Sequence, residues 1–276
     1  MIDGNTLIFA TAGNPVAQVR LPQVMEVVFR ELRVNAVWVP MHVDHEGLKV
    51  VLHALRAMKN FRGITVAIPH KPTVGALLDR LTLRARAAGA VNLVRLDPDG
   101  KLHGDIVDGA GFVRGLELHG HSVKGATAWL VGVGGGGSAI AAAVAEAGAA
   151  RIFLHDADAA RAASMAQRLK EHYPAVAVQV ADKPPARVDY AINATPCGLQ
   201  PGDAMPFDPV QLPRDTMVCD IIMKPRETRL LQAAQARGMR VQHGQHMMDV
   251  QVPMYLEFFG LDYPDERTVI DLCSRA

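Results

Sequence analysis

Residues 129–139 read Trp129-Leu130-Val131-Gly132-Val133-Gly134-Gly135-Gly136-Gly137-Ser138-Ala139, and the rest of the chain organises around this stretch. Thr127–Val131 is an apolar run suited to a buried strand, and the alanine-rich run Ser138–Ala150 is suited to a helix. Between them Gly132, Gly134 and Gly137 follow the spacing G-x-G-x-x-G, with Gly135 and Gly136 filling the gap. Glycine at these places permits a tight turn and a close approach of the backbone to a pyrophosphate. The helix that follows supplies unpaired N–H groups and a partial positive charge. The bland alternative is a glycine-rich loop with no ligand, and a strand before the turn with a helix after it argues against that. An acidic residue about 20 positions beyond such a turn hydrogen-bonds the adenosine ribose. Leu154-His155-Asp156-Ala157-Asp158 supplies one in Asp156, unless Asp156 or Asp158 merely caps the next helix.

Outward from the turn, strand-like and helix-like runs alternate. Downstream come Arg151–Leu154, Ala159–Glu171, Ala175–Val180, Val188–Asn193, Met217–Ile222, Thr228–Arg237 and Val241. That alternation predicts βαβ units and a parallel sheet. Upstream, Thr6–Ala10, Ala36–Val43 and Gly63–Ile68 read as strands, while Pro22–Arg33, Leu48–Met58 and Val74–Leu81 carry helical spacing. Val91–Leu96, the turn Asp97-Pro98-Asp99-Gly100 and Lys101–Leu102 read as a hairpin, Gly109–Leu118 as a helix, and Met247–Phe259 as one apolar helix.

Composition narrows the class. With 29 basic against 28 acidic residues, the net charge of +1 gives no sign of a polyanion-binding surface, so no nucleic-acid partner is expected. The three cysteines, Cys197, Cys219 and Cys273, lack metal-ligand spacing and read as thiols in a reducing compartment. No basic region followed by an apolar stretch stands at Met1–Asn5, and no run is long enough for a membrane span. A cytoplasmic protein without a membrane partner is expected, as a monomer or homodimer. His42 with His45, and His243 with His246, have spacing that suits a metal only on a helix; both pairs fall in loops or strand ends, so no metal is expected.

Several segments, in order, resemble the shikimate dehydrogenase family: Gly13-Asn14-Pro15-Val16-Ala17, Thr65-Val66-Ala67-Ile68-Pro69-His70-Lys71, Gly89-Ala90-Val91-Asn92, Gly104–Phe112, Asn193–Gly198 and Gly244–Gln251. The resemblance implies an α/β fold with an N-terminal α/β substrate domain over 1–107 and a Rossmann-type parallel-sheet cofactor domain over 108–243. A helical segment over 244–276 then returns to the first domain, with a cleft between the two. Lys71 and Asp108 match the family's catalytic lysine and aspartate. Oxidising an alcohol removes a hydride from carbon and a proton from oxygen, and a desolvated lysine oriented by a carboxylate exchanges that proton. Asn92 and Gln251 match substrate-binding residues. Thr195, Met223, Gly244 and Met247 match regions lining the nicotinamide half of the cofactor, although Met247 and Met248 serve equally as core filling.

The chain also departs from the family. Val19 and Leu21 stand where the family has two serines that grip the shikimate carboxylate, Ala67 replaces a threonine, and Met223 replaces a tyrosine. A carboxylate buried without partners is heavily penalised. The expected activity is therefore hydride transfer between a nicotinamide and a small cyclic hydroxy or keto substrate, not optimised for shikimate. The competing readings are an ordinary shikimate or quinate dehydrogenase with Arg20 taking the carboxylate, and a non-catalytic dinucleotide-binding regulatory protein. A pure binder has no need of the Lys71–Asp108 pair. Asp156-Ala157-Asp158 replaces the Asn-Arg-Thr run of NADP-using members, so NAD is the expected cofactor, with NADP as the second choice.

Overall fold

The computed structural model describes residues 2–17 and 19–275, with Asp249 described by its backbone alone. The chain divides into two compact units, Met1–Val107 with Asp249–Ala276, and Asp108–Met248. The first unit opens with β1 (Leu7–Gly13), α1 (Leu21–Glu31), β2 (Ala36–His42), α2 (His45–Leu55) and β3 (Phe61–Val66). Pro22 sits in the first turn of α1, where its missing N–H has no intrahelical partner to lose. The Asp44 carboxylate accepts the Gly47 N–H and starts α2 earlier than its apolar spacing alone predicts.

Then follow β4 (Arg80–Leu81), α3 (Leu83–Ala88), β5 (Leu93–Leu96) and β6 (Leu102–Asp105). The sheet order is β2-β1-β3-β5-β6-β4, with β5 antiparallel to both β3 and β6. The Asp97–Gly100 turn closes the expected hairpin. The helix expected over Val74–Leu81 is instead a single 3-10 turn at Val74–Leu77 followed by β4. Leu78 and Leu81 explain the difference: both fill the space beside Gly104, where an added Cβ would lie 2.4 and 2.9 Å from their methyl groups. Their apolar spacing is satisfied by packing over a glycine in a strand, and Leu81 pairs with Gly104 in the parallel ladder.

The second unit runs α4 (Asp108–Leu118), β7 (Thr127–Val131), α5 (Gly135–Glu146), β8 (Arg151–His155), α6 (Ala159–His172), β9 (Ala177–Val180), β10 (Tyr190–Asn193), β11 (Met217–Asp220), α7 (Arg229–Ala236), β12 (Val241–Gln242) and α8 (Gln245–Asp249). Its six strands are all parallel in the order β12-β11-β10-β7-β8-β9. This is the doubly wound arrangement, with chain order reversing between β7 and β10.

The apolar tail expected as one helix over Met247–Phe259 is broken at Val250 into α8 and α9 (Gln251–Phe259). A continuous helix would need an N–H from Pro253 to reach back one turn, and proline has none. The boundary between the units therefore falls at Asp249 rather than at Gly244. Gly244 stays in the second unit, where an added Cβ would meet the Ile221 backbone at 2.5 Å. In the first unit α9 and α10 (Glu266–Cys273) complete the core. Phe9 stacks on Trp38 with ring centroids 5.4 Å apart, and Phe259 meets Phe9 edge-on at 5.2 Å. Such aromatic pairs add about 0.5–1.5 kcal/mol each beyond their buried area.

Candidate active site

In the second unit, Val131 at the end of β7 lies in register with Asn193 at the end of β10. Ligands of doubly wound sheets bind outside the carboxyl ends of the strands at this reversal point. Gly132 has φ +93°, a left-handed conformation, and an added Cβ would meet Thr195 at 2.7 Å and the Ala194 backbone at 2.8 Å. At Gly137 a Cβ would stand 1.9 Å from the Gly132 carbonyl oxygen. These two glycines are demanded by the protein's own packing. Gly134 is not, because a Cβ there would meet nothing within 4 Å. It is the N-cap of α5 and donates no side chain to the helix end, so the first N–H groups of α5 have no side-chain cap. A shallow backbone cradle at a bare helix N-terminus fits a pyrophosphate.

Asp156 follows β8 and its carboxylate is 8% exposed. The Val133 N–H donates to its Oδ2 at 2.8 Å, and the Asp158 N–H to its Oδ1 at 2.9 Å. The helix cap is Asp158, which accepts the Ala160 and Arg161 N–H groups. Asp156 is thus tied to the glycine turn itself, and the capping role belongs to its neighbour. The sequence between Asp156 and Asp158 holds no basic residue, but Arg161 comes from one turn further along, 3.4 Å from Asp156. Sequence reasoning overlooked it, and its position on the first turn of α6 was the available signal.

The ends of β10 and β11 are locked by one buried network. Asn193 Nδ2 donates to Asp220 Oδ1 at 3.1 Å, and its own Oδ1 accepts both the Thr195 N–H and the Thr195 hydroxyl. Asp220 also takes the Thr228 hydroxyl at 2.8 Å and the Ile222 N–H at 3.0 Å. Burial pushes the Asp220 carboxyl above the usual carboxylate range, while these hydrogen bonds oppose the shift. The network fixes the segments that carry Thr195 and Met223. Met223 itself is 41% exposed, whereas Met247 is buried. An acidic residue ending an otherwise apolar strand is the sequence signal for Asp220.

In the first unit Lys71 follows β3 and is half-buried, and its carbonyl accepts the Val91 N–H at 2.8 Å, joining the lysine segment to the one that carries Asn92. Asn92 is buried, and its Oδ1 accepts the Val107 N–H at 3.1 Å. Two residues before Val107, buried Asp105 is bound by Thr82 Oγ1 and by the Arg84 guanidinium. The approach to Asp108, the first residue of α4, is therefore tightly held, and Asp108 is itself buried. Gln251, which its helix position alone would leave in solvent, is 1% exposed. Val19 and Leu21 are half-buried around exposed Arg20, and Ala67 lies against Gly13, an added Cβ there standing 3.3 Å away.

The histidines of each pair have further partners, and His243 also meets His246 edge-on with ring centroids 5.6 Å apart. His42 contacts Asn14, His45 contacts Thr73, His243 contacts Glu227 at 2.7 Å, and His246 stacks on His119 at 3.9 Å. Among the described residues no group of three or more His, Cys, Asp or Glu is placed to hold a metal ion, and no helix is long and apolar enough to cross a membrane.

A parallel doubly wound sheet with a glycine turn at its reversal point defines the dinucleotide-binding class of α/β protein. Comparison with known proteins takes this further. The family model for the shikimate dehydrogenase substrate binding domain matches residues 11–94. A shikimate dehydrogenase (NADP(+)) of Rubrobacter xylanophilus is 35% identical over 254 residues, covering 90% of this chain and 88% of that protein. The crystal structure of shikimate 5-dehydrogenase from Listeria monocytogenes, in complex with shikimate and NAD, superposes with a TM-score of 0.90 at 28% identity, covering 98% of this chain and 97% of that one. The ligand-free 5-ketofructose reductase of Gluconobacter sp. strain CHM43 gives 0.88 at 28% identity, covering 99% of each. The chain belongs to the shikimate dehydrogenase family. It is an NAD(P)-dependent oxidoreductase acting on CH–OH donors.

Proposed function

We propose that this enzyme interconverts a cyclic alcohol and its ketone on a substrate that lacks the carboxylate of shikimate, with NAD preferred over NADP. The observation that carries the reading is the pair Val19 and Leu21, two half-buried apolar side chains where the family holds hydroxyls. Each lost hydrogen bond to a charged group is worth about 1.5–3 kcal/mol, and an apolar replacement cannot return it. The Gluconobacter relative supports the idea, since 5-ketofructose is a ketosugar with no carboxylate.

On this reading the first unit binds substrate through Asn92 and Gln251, and Val19, Leu21 and Ala67 shape the less polar side of the pocket. The second unit binds the dinucleotide through Gly132, Gly134, Gly135, Gly136 and Gly137, with Thr195, Met223, Gly244 and Met247 toward the nicotinamide. The cofactor supplies or accepts the hydride when bound. Lys71 and Asp108 are assigned the proton exchange at the substrate oxygen. Asp156 favours NAD, because a carboxylate at the ribose repels a 2′-phosphate and Arg161 is already engaged with it. The NADP(+) name of the Rubrobacter relative marks the alternative.

The test is steady-state kinetics on shikimate, quinate and 5-ketofructose with both cofactors, followed by absorbance of the reduced nicotinamide. A kcat/KM for 5-ketofructose well above that for shikimate is expected. Efficient shikimate oxidation by the parent chain would refute the altered pocket.

A further inference from the structure

We infer that Tyr255 is a positioning residue for Gln251, holding its side-chain amide so that Nε2 is presented as a hydrogen-bond donor to an acceptor oxygen of the substrate. The inference rests on the assignment of Gln251 as a substrate contact and specifies what that contact demands. The two residues lie four apart on α9, so their side chains share one face of the helix. The Tyr255 hydroxyl donates to Gln251 Oε1 at 2.5 Å. Gln251 is 1% exposed, yet among the described residues its Nε2 has no hydrogen-bond partner. A buried donor without a partner is costly to keep. It is tolerated where a ligand completes it, and Gln251 stands at the first turn of α9 with that donor unused.

The phenol is well placed to hold the amide. Its ring packs in the apolar cluster with Leu93, Val107, Val252 and Leu256, so the hydroxyl has little freedom to follow a rotating side chain. With the phenol proton given to Oε1, a half-turn of the amide would exchange an O–H···O bond for an N–H···O bond and leave Oε1 as the outward end. The observed arrangement keeps the donor outward. The substrate must then bring a hydroxyl or carbonyl oxygen to that point, and an analogue with a methylene there is rejected.

The test uses Tyr255→Phe, Gln251→Ala and the double variant of the full chain. The order parameter of the Gln251 side-chain amide is measured by ¹⁵N relaxation, the resonance being assigned by its loss in Gln251→Ala. KM and kcat are measured with shikimate, quinate and 5-ketofructose, alongside cofactor affinity and thermal melting. In Tyr255→Phe the amide should loosen and KM should rise about fivefold, the scale of one net hydrogen bond, with kcat and cofactor Kd little changed. Added to Gln251→Ala, the Phe substitution should have no further effect on KM. An amide as ordered in Tyr255→Phe as in the parent overturns the inference, and so does an additive double variant, which would signal a purely structural tyrosine. A loosened amide with KM unchanged in Gln251→Ala for every compound overturns the substrate half and locates the fault in the reading of Gln251.

Discussion

Replacing Gly134 by alanine separates the fold's use of the glycine turn from the cofactor's. Gly134 has φ −67° and ψ −168°, which any L residue adopts, and a Cβ there meets nothing within 4 Å. The folded protein should lose nothing, while the unfolded chain loses conformational freedom worth about 0.4–1 kcal/mol. For a chain of this size that raises Tm by about 1–3 °C. For the dinucleotide the sign reverses. A methyl group standing over the turn keeps the pyrophosphate from reaching the N–H groups at the start of α5. Losing two charge-assisted bonds of about 1.5–3 kcal/mol each weakens binding about a hundredfold or more. Gly137→Ala supplies the contrast: its Cβ would sit 1.9 Å from a backbone carbonyl oxygen that no rotamer change can move. It should destabilise the protein by about 3 kcal/mol whether or not ligand is present. Calorimetric titration with NAD and NADP, with melting curves of the ligand-free proteins, reads both effects. Parent-like affinity in Gly134→Ala, or a melt several degrees below the parent, would refute the division of roles.

Other substitutions test the remaining assignments. Lys71→Ala and Asp108→Ala should each lower kcat about a hundredfold or more, with NAD affinity unchanged; near-normal turnover in both removes the proton-exchange role. Asp156→Ala should weaken NAD and narrow its advantage over NADP in titration, and an unchanged ratio of the two Kd values would count against Asp156 as the selector. Val19→Ser combined with Leu21→Ser should lower the shikimate KM by an order of magnitude or more, and no change in kinetics moves attention to Ala67 and Met223. Asp220→Asn bears on stability. Burial raises the Asp220 carboxyl above its ordinary value of 3.8, so the folded state holds this proton more tightly than the unfolded one. The stability that this adds is full below the ordinary value and is lost as pH rises through the raised one. The Tm of the parent should therefore fall relative to the variant across that window, and parallel Tm–pH curves would exclude the linkage.

Local patterns that carry their own physical cause were legible from sequence. The strand Thr127–Val131 and the glycine turn were read at their observed places because apolar run, turn and helix signals coincide there. The hairpin turn at Asp97–Gly100 was equally plain. What was hidden depends on distant partners. Leu78 and Leu81 have helical spacing, and only Gly104 on another strand explains why they lie extended. The break at Val250 was available from Pro253, but the apolar stripe on either side outweighed it. The helices α3 and α10 were not anticipated. At the candidate site, motif matches name residues but not their surroundings: that Asp156 accepts an N–H from the turn, or that Gln251 is buried with one end of its amide tied, follows only from the folded chain.

The seating of Phe259 against Gly63 has a consequence for how the chain matures during synthesis. An added Cβ at Gly63 would stand 2.1 Å from the Phe259 ring, so β3 reserves a place that only a residue made much later can fill. The first unit is discontinuous, Met1–Val107 joined by Asp249–Ala276, while the second is one uninterrupted stretch. On the ribosome, the segment that emerges first lacks the aromatic wedge of its own core, and the stretch that follows has all of its strands in hand before α9 appears. Domains fold as units as they emerge, but here the order of completion runs against the order of translation. The glycine-turn unit can close early, whereas α1 already packs Phe29 on Phe9 and only the place beside Gly63 waits for Phe259 of α9.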